Sequence, residues 1–297
     1  MPSSPIHAST PRRRARLLWV AVGGAVAVAV SVVAGLDHSS ATAGSSYASG
    51  PTPAQLNAQA VYSGTGGQSA GLAVHVSANH LVDQSGRQVV LRGADLSGTE
   101  FACIQGGSPT NRGWSIYGGQ PLDQPSTYSA MAAWGIDVVR VPLNEDCWLG
   151  INGVASGLGG YAYQKAVEQE VSLIGNAGMV AILDLHWSSP GPYAAYWQQP
   201  MADAQHSIPF WHSVASAFKS DPAVMFDLYN EPFFYYISDG SNQWDCWLNG
   251  CQMNQFISYN QVGPDGKHTG YTTSYSWRTA GMQQMIAAVR DAGATQP

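Results

Sequence analysis

Residues 224–232, Val-Met-Phe-Asp-Leu-Tyr-Asn-Glu-Pro, decide the fold. They follow the breaker Asp221-Pro222 and read as a short apolar strand closed by Asn230-Glu231-Pro232. A strand covered on both faces is apolar throughout, so a carboxylate at its tip needs a reason. Proline bars continuation of a central strand and fixes Glu231 at the strand exit. Barrels of parallel strands gather their reactive groups at such exits. Glu231 beside the Asn230 amide therefore suits proton transfer, against the plainer reading of an acidic residue in an exposed loop.

Working outward, three earlier runs have the same character and end at Gly93-Ala94-Asp95, Val138-Val139-Arg140 and Leu183-Asp184-Leu185-His186. From Asp95 to Arg140, His186 and Glu231 the steps are 45, 46 and 45 residues. Helical spacing fills the intervals, in Val167, Val171 and Ile174, and in Phe210, Trp211, Val214 and Phe218; Met282, Met285, Ile286 and Val289 follow the last run. Strand, helix, strand at this period implies right-handed parallel crossovers. The expected fold class is α/β, of the (β/α)8 TIM-barrel type in preference to an open sheet. Four units are present where a closed barrel has eight, so the expectation is a barrel truncated to about its first four βα units. An N-terminal β-hairpin precedes them, with arms at 74–82 and 88–91 around Asp83-Gln84-Ser85-Gly86. Gly135, Gly178 and Gly293, each just past a helix, suit the left-handed cap conformation.

The chain has 297 residues, 45% of them hydrophobic, enough for one large domain or two smaller ones. Only 11% are charged, the formal charge is -6, and no basic run occurs beyond the first sixteen residues, which disfavours nucleic-acid binding. Arg12, Arg13, Arg14 and Arg16 precede an uncharged stretch at 17–36 and then Ala41-Thr42-Ala43. This is the pattern of an export signal, although its apolar part is also long enough to span a bilayer. Residues 1–43 are therefore expected to be a signal peptide or membrane anchor, with the folded part secreted or otherwise extracytoplasmic. Residues 44–72 have a linker composition, leaving 73–297 as the folded domain. Four cysteines in an exported chain imply two disulfides, with three possible connectivities. Cys103 and Cys147 follow adjacent strands by similar offsets and are expected to pair, leaving Cys246 with Cys251. Zinc-type cysteine spacing, phosphate loops, serine-nucleophile elbows and paired histidines are absent, so no metal or cofactor is expected.

An arginine inside an apolar strand is costly unless it meets a carboxylate, so Arg140 is expected to be paired near the centre of a site. Alternation puts Asp184 with His186 on one face, and Asp227, Tyr229 and Glu231 on one face. His186 then orients a carboxylate or bonds a substrate; the alternative is that it and Arg140 are satisfied structural polars. Aromatics cluster after the strands, at Trp114, Tyr117, Trp148, Trp187, Tyr193, Tyr196, Trp197, residues 233–236, Trp244 and Trp247. Rings in such loops suit stacking on sugar faces. Trp134 and Trp211 fall on helices and read as packing.

The runs Val138-Val139-Arg140-Val141-Pro142-Leu143-Asn144-Glu145, Leu183-Asp184-Leu185-His186-Trp187 and Leu228-Tyr229-Asn230-Glu231-Pro232 together resemble family 5 of the glycoside hydrolases, the cellulase family of retaining (β/α)8 enzymes. The likeness spans roughly residues 73–297. It implies Glu231 as the general acid/base, Asn230 as the contact to a sugar 2-hydroxyl, and Arg140 and His186 as supports. The family's nucleophile belongs on a seventh strand, and no residue here matches it. Of the other glutamates, Glu145 reaches the rim with Asp146 and Trp148 and is expected to bind substrate or to structure the loop. Glu100 is placed to line a subsite, and Glu168 and Glu170 read as exposed charge on an outer helix. The activity implied is secreted hydrolysis of β-1,4-glucan, with mannan, xyloglucan and exo-action on β-glucans left open. The rival class is an inactive or carbohydrate-binding half-barrel, whose open edges would favour self-association. Membrane contact is expected only if the N-terminal apolar segment stays uncleaved.

Overall fold

The computed structural model describes residues 72–104, 116–155, 157–262 and 268–297, with 256–262 and 268–273 by backbone alone. The expected export segment, the linker through residue 71 and Trp114 lie outside these residues. A two-stranded hairpin comes first, β1 (Val74–Ser77) and β2 (His80–Asp83). The main sheet is parallel and runs in chain order: β3 (Gly93–Asp95), β4 (Val138–Asn144), β5 (Val180–Trp187) and β6 (Val224–Asp227). Helix α1 (Pro125–Ala133) joins β3 to β4, and α2 (Glu145–Leu149) and α3 (Tyr161–Asn176) join β4 to β5. Helix α4 (Ser207–Phe218) leads into β6; α5 (Gln243–Asn249), the antiparallel ribbon β7 (Gln252–Val262) and β8 (His268–Arg278), and α6 (Met282–Asp291) follow it. The fold is α/β, and its strand-helix alternation is that of (β/α)8 barrels.

The core forms because the strands carry continuous apolar runs and the helices one apolar stripe each. Val139, Val141, Leu143, Leu183 and Leu185 from the sheet share one cluster with Val167, Val171 and Ile174 of α3 and Phe210, Trp211 and Val214 of α4. A second, smaller cluster of Val74, Val138 and Val180 lets the hairpin cover the amino-terminal end of the sheet. Gly135, Gly178 and Gly293 follow their helices with φ of 80°, 83° and 90°, the left-handed values that stop each helix before the chain turns on. Pro142 interrupts β4 where β3 has already ended, so no ladder partner on that side is lost. At the far edge Phe226 N donates to the carbonyl of Pro297 at 3.0 Å, so the last residues lie along β6. Among the described residues no helix is long and apolar enough to cross a membrane.

Four expectations are corrected. The hairpin arm 74–82 is broken at Ala78, whose φ is 54°, and the 88–91 arm forms no strand, pairing with β2 through a bridge from Gln88 to Val82. The Asp83 turn exists, its carboxylate accepting from the amides of Ser85 and Arg87, and it joins β2 to Val89, whose amide donates to Leu81 O at 2.9 Å. Trp134, at the end of α1, is 83% exposed rather than packed. On α6 the inner face is Met282, Met285, Ala288 and Val289, with Ile286 turned toward solvent. Glu170 is fully buried on α3, where Tyr128 Oη donates to it at 3.2 Å. Trp211 is buried as expected; its Nε1 donates to Leu228 O at 3.0 Å, and its ring packs on Phe210 and Phe226.

Two outcomes follow. Trp211→Ala is expected to cost about 3–5 kcal/mol in denaturant unfolding, whereas Ile286→Ala stays within roughly 0.5 kcal/mol. Burial pushes the Glu170 carboxyl up to about 8, with the Tyr128 hydroxyl opposing the shift. A carboxyl whose folded value is raised favours the fold below its ordinary value, here 4.5, and loses that contribution as pH rises through about 8. Unfolding free energies measured across this window should therefore fall less steeply in Glu170→Gln than in the unaltered chain.

Candidate active site

The carboxyl end of the sheet is organised by Arg140, which β4 delivers into a ring of acceptors. Its Nη2 is 2.9 Å from Asp184 Oδ2 on β5 and 3.1 Å from Asp227 Oδ2 at the end of β6. Its Nη1 is 3.5 Å from Asp95 Oδ1 on β3. Parallel register explains the convergence, since Asp95 sits opposite Arg140 and Asp184 opposite Asp227. The expectation of a carboxylate partner is met three times over.

Asp184 is fully buried, and the same Oδ2 that meets Arg140 lies 2.6 Å from His186 Nδ1. One carboxylate therefore ties the guanidinium and the imidazole together, as alternation along β5 predicts. Its Oδ1 has no hydrogen-bond partner among the described residues. Burial pushes Asp184 up to about 6, while His186 and Arg140 pull it back.

Beyond Asp227 strand alternation fails. Asn230, rather than Tyr229 or Glu231, returns to the ring, where its Oδ1 accepts from Arg140 Nη2 at 2.8 Å. Tyr229 turns into the core, its hydroxyl donating to Gln199 O at 2.9 Å. The chain leaves the strand between these residues because the Leu228 carbonyl is taken by Trp211 and the Asn230 amide reaches Leu185 O. Asn230 Nδ2 donates to Gln198 Oε1 at 2.6 Å, and Gln198 Nε2 donates back to the Asn230 carbonyl. The amide expected to meet a sugar hydroxyl thus already commits one of its hydrogens to Gln198. Glu231 follows with φ of 43°, a left-handed conformation that costs a non-glycine residue about 1–3 kcal/mol and clusters at functional sites. Its side chain is exposed and makes no hydrogen bond or ion pair with another described residue.

Trp187, at the end of β5, stands at the same rim between Phe101 at 6.2 Å and the half-exposed Trp197 at 6.3 Å. Trp148 does not join it. Trp148 is buried in the core against Tyr163 and Phe210, with Nε1 donating to Ser213 Oγ at 3.0 Å. Glu145 is also removed from the rim: α2 begins at this residue and turns it inward. There it is buried, accepting from the Ser189 amide at 3.3 Å and from the Ser207 hydroxyl. Burial raises its carboxyl well above the usual range, with Asp203 beside it adding to the shift. Asp146 is buried too and structures the loop, accepting from the Ala195 amide at 2.8 Å and from Asn152 Nδ2 at 3.1 Å. Glu100 is occupied by the Ser97 hydroxyl and the Gly98 amide, and Glu168 pairs with Lys165. Cys103 is bonded to Cys147 and Cys246 to Cys251, as expected. The first bond ties the segment after β3 to α2, holding two rim loops together. Sequence reasoning missed Gln198 and Asp95 as members of the site; the sheet register could have found Asp95, whereas Gln198 lies in a loop without periodicity.

A parallel α/β sheet with strand-helix alternation and polar groups gathered at its carboxyl end is a scaffold of the barrel class. The family model described as Cellulase (glycosyl hydrolase family 5) matches residues 82–296, and the chain belongs to that family. Among solved structures it is similar to an endogalactoceramidase, at 20% identity over 75% of this chain and 51% of the other, with a TM-score of 0.44. A β-glucanase from Saccharophagus degradans gives 22% identity over 61% and 47%, with a TM-score of 0.41. The catalytic domain of the major endoglucanase from Xanthomonas campestris pv. campestris gives 21% over 58% and 49%, with a TM-score of 0.39. The chain spans about half the length of these three structures. No curated protein sequence matches it.

Replacing Arg140 tests the ring. Arg140→Met leaves Asp184 buried without its cation, an error that costs about 3–5 kcal/mol when the carboxylate must stay ionised. Asp184, raised above its ordinary 3.8, stabilises the fold most below that value and loses the contribution as pH rises through about 6. Without the arginine its proton is held still more firmly. The variant's deficit in denaturant unfolding should accordingly be larger at about pH 8 than at about pH 5.

Proposed function

We propose that the chain carries the acid/base half of a secreted retaining glycoside hydrolase, with β-1,4-glucan as the polysaccharide bound and Glu231 as the general acid/base. The observation that carries this reading is the bond from Arg140 to Asn230, which fixes the Asn230-Glu231-Pro232 exit at the carboxyl end of the sheet. Glu231 would protonate the leaving inter-sugar oxygen and then, as a carboxylate, take a proton from the attacking water. Its exposed position fits a group that must meet substrate and solvent in turn. Trp187 and Trp197 would offer ring faces to the sugars, and the ring around Arg140 would keep the floor rigid. Export of the folded part accords with two disulfides.

Retaining hydrolysis needs a second carboxyl about 5 Å from the first. None of the other four glutamates is free to supply it, Glu145, Glu100 and Glu170 being enclosed and Glu168 lying on the outer helix α3, and the rim aspartates Asp95, Asp184 and Asp227 are each paired with Arg140. Our reading is that these 297 residues carry the acid/base half of the mechanism and bind glucan without cleaving it. Incubation with a chromogenic β-1,4-glucan should release no dye, and turnover that Glu231→Gln abolishes would overturn the half-mechanism while supporting the role of Glu231. Migration in gels containing the same glucan should be retarded, and Trp187→Ala should relieve the retardation. Unretarded migration of the folded chain would count against the glucan reading itself.

A further inference from the structure

A second polar cluster lies off the Arg140 ring, where three segments meet. Glu145 opens α2, Asp203 closes the loop that follows β5, and His206 immediately precedes α4. One donor atom from each lies within 4.8 Å of the other two. His206 Nδ1 is 3.5 Å from Asp203 Oδ1 and 3.8 Å from Glu145 Oε1. Ligands held at zinc's bond lengths of about 2.0–2.2 Å in a tetrahedron stand roughly 3.4 Å apart, close to this spacing.

Both carboxylates are fully buried, and among the described residues neither is paired with an arginine or lysine. Two buried carboxylates side by side need a proton or a cation between them. Ser189 supplies an independent sign of which it is. Its amide donates to Glu145 Oε1 at 3.3 Å and its carbonyl lies 3.2 Å from His206 Nδ1, so the residue walls the cluster. Its buried hydroxyl has no hydrogen-bond partner. A proton shared by the carboxyls offers that hydroxyl nothing, whereas a water ligand on an ion beside the Ser189 backbone would be within its neighbourhood as a partner. An approach exists as well: His206 lines a cavity of about 470 Å³ together with Asn152, Gln205 and Tyr275.

We infer that Glu145, Asp203 and His206 form a binding site for a divalent cation of the zinc type, with the fourth position left to water from the cavity. Nothing in the inference depends on Glu231 or on glycan cleavage. Binding through Nδ1 requires that atom to be unprotonated, so uptake would move the ring proton to Nε2 and break the contact with the Ser189 carbonyl. Bound there, the ion would tie the β5–α4 loop to the start of α2.

The test uses the full chain, stripped with a chelator and titrated with cobalt(II), whose visible bands report tetrahedral coordination. One equivalent should bind with those bands, and zinc should displace it. His206→Ala, at a position that makes no side-chain cap to α4, should keep its far-ultraviolet circular dichroism. Its affinity should fall at least tenfold, the lower bound seen when even an outer partner of a ligand is lost. A folded unaltered chain that takes up neither ion, or equal uptake by His206→Ala, would overturn the inference and leave the two carboxyls sharing a proton.

Discussion

One guanidinium holds the carboxyl end of this sheet together. Arg140 enters an otherwise apolar strand, and the partial burial of its charge is offset by an aspartate from each of β3, β5 and β6. The arrangement is reciprocal. His186 and the arginine both pull Asp184 back toward its ionised form, and the aspartates offset the partial burial of the guanidinium. Because the four groups come from four strands, the ring also locks strand register, since a one-residue slip would reverse every partner's face.

From that ring the rest of the site is positioned by short links. Asp184 passes the constraint to His186, and Asn230 passes it to the peptide before Glu231. Trp211 contributes from below by capturing the Leu228 carbonyl, which ends the ladder and frees the chain to turn. Helix α4 therefore determines where strand β6 stops. The left-handed backbone at Glu231 is the outcome of these restraints, held by Asn230 on one side and Pro232 on the other.

Much of this was legible in the sequence because parallel strands must be apolar and their exits recur at a near-constant interval. The same physics made Arg140 conspicuous, since a buried charge demands a partner. What could not be read was direction at the rim. Glu145 and Trp148 directly follow a strand, yet a five-residue helix begins at once and carries both inward. Glu170 looked like surface charge because its neighbour Glu168 is one, but on a helix, two positions place a residue on another face. Gln198 gave no signal, since loop residues follow no period. Alternation beyond Asp227 misled for a related reason: it holds only while the ladder does, and the ladder ends there.

The ring carries three aspartates against one arginine, so once Asp184 is ionised, above about pH 6, the floor beneath the rim holds surplus negative potential. Such a floor attracts cationic groups and repels anionic ones. An anionic ligand would have to settle there against repulsion. The polarity of the floor thus sorts neutral ligands from anionic ones before any individual contact is made.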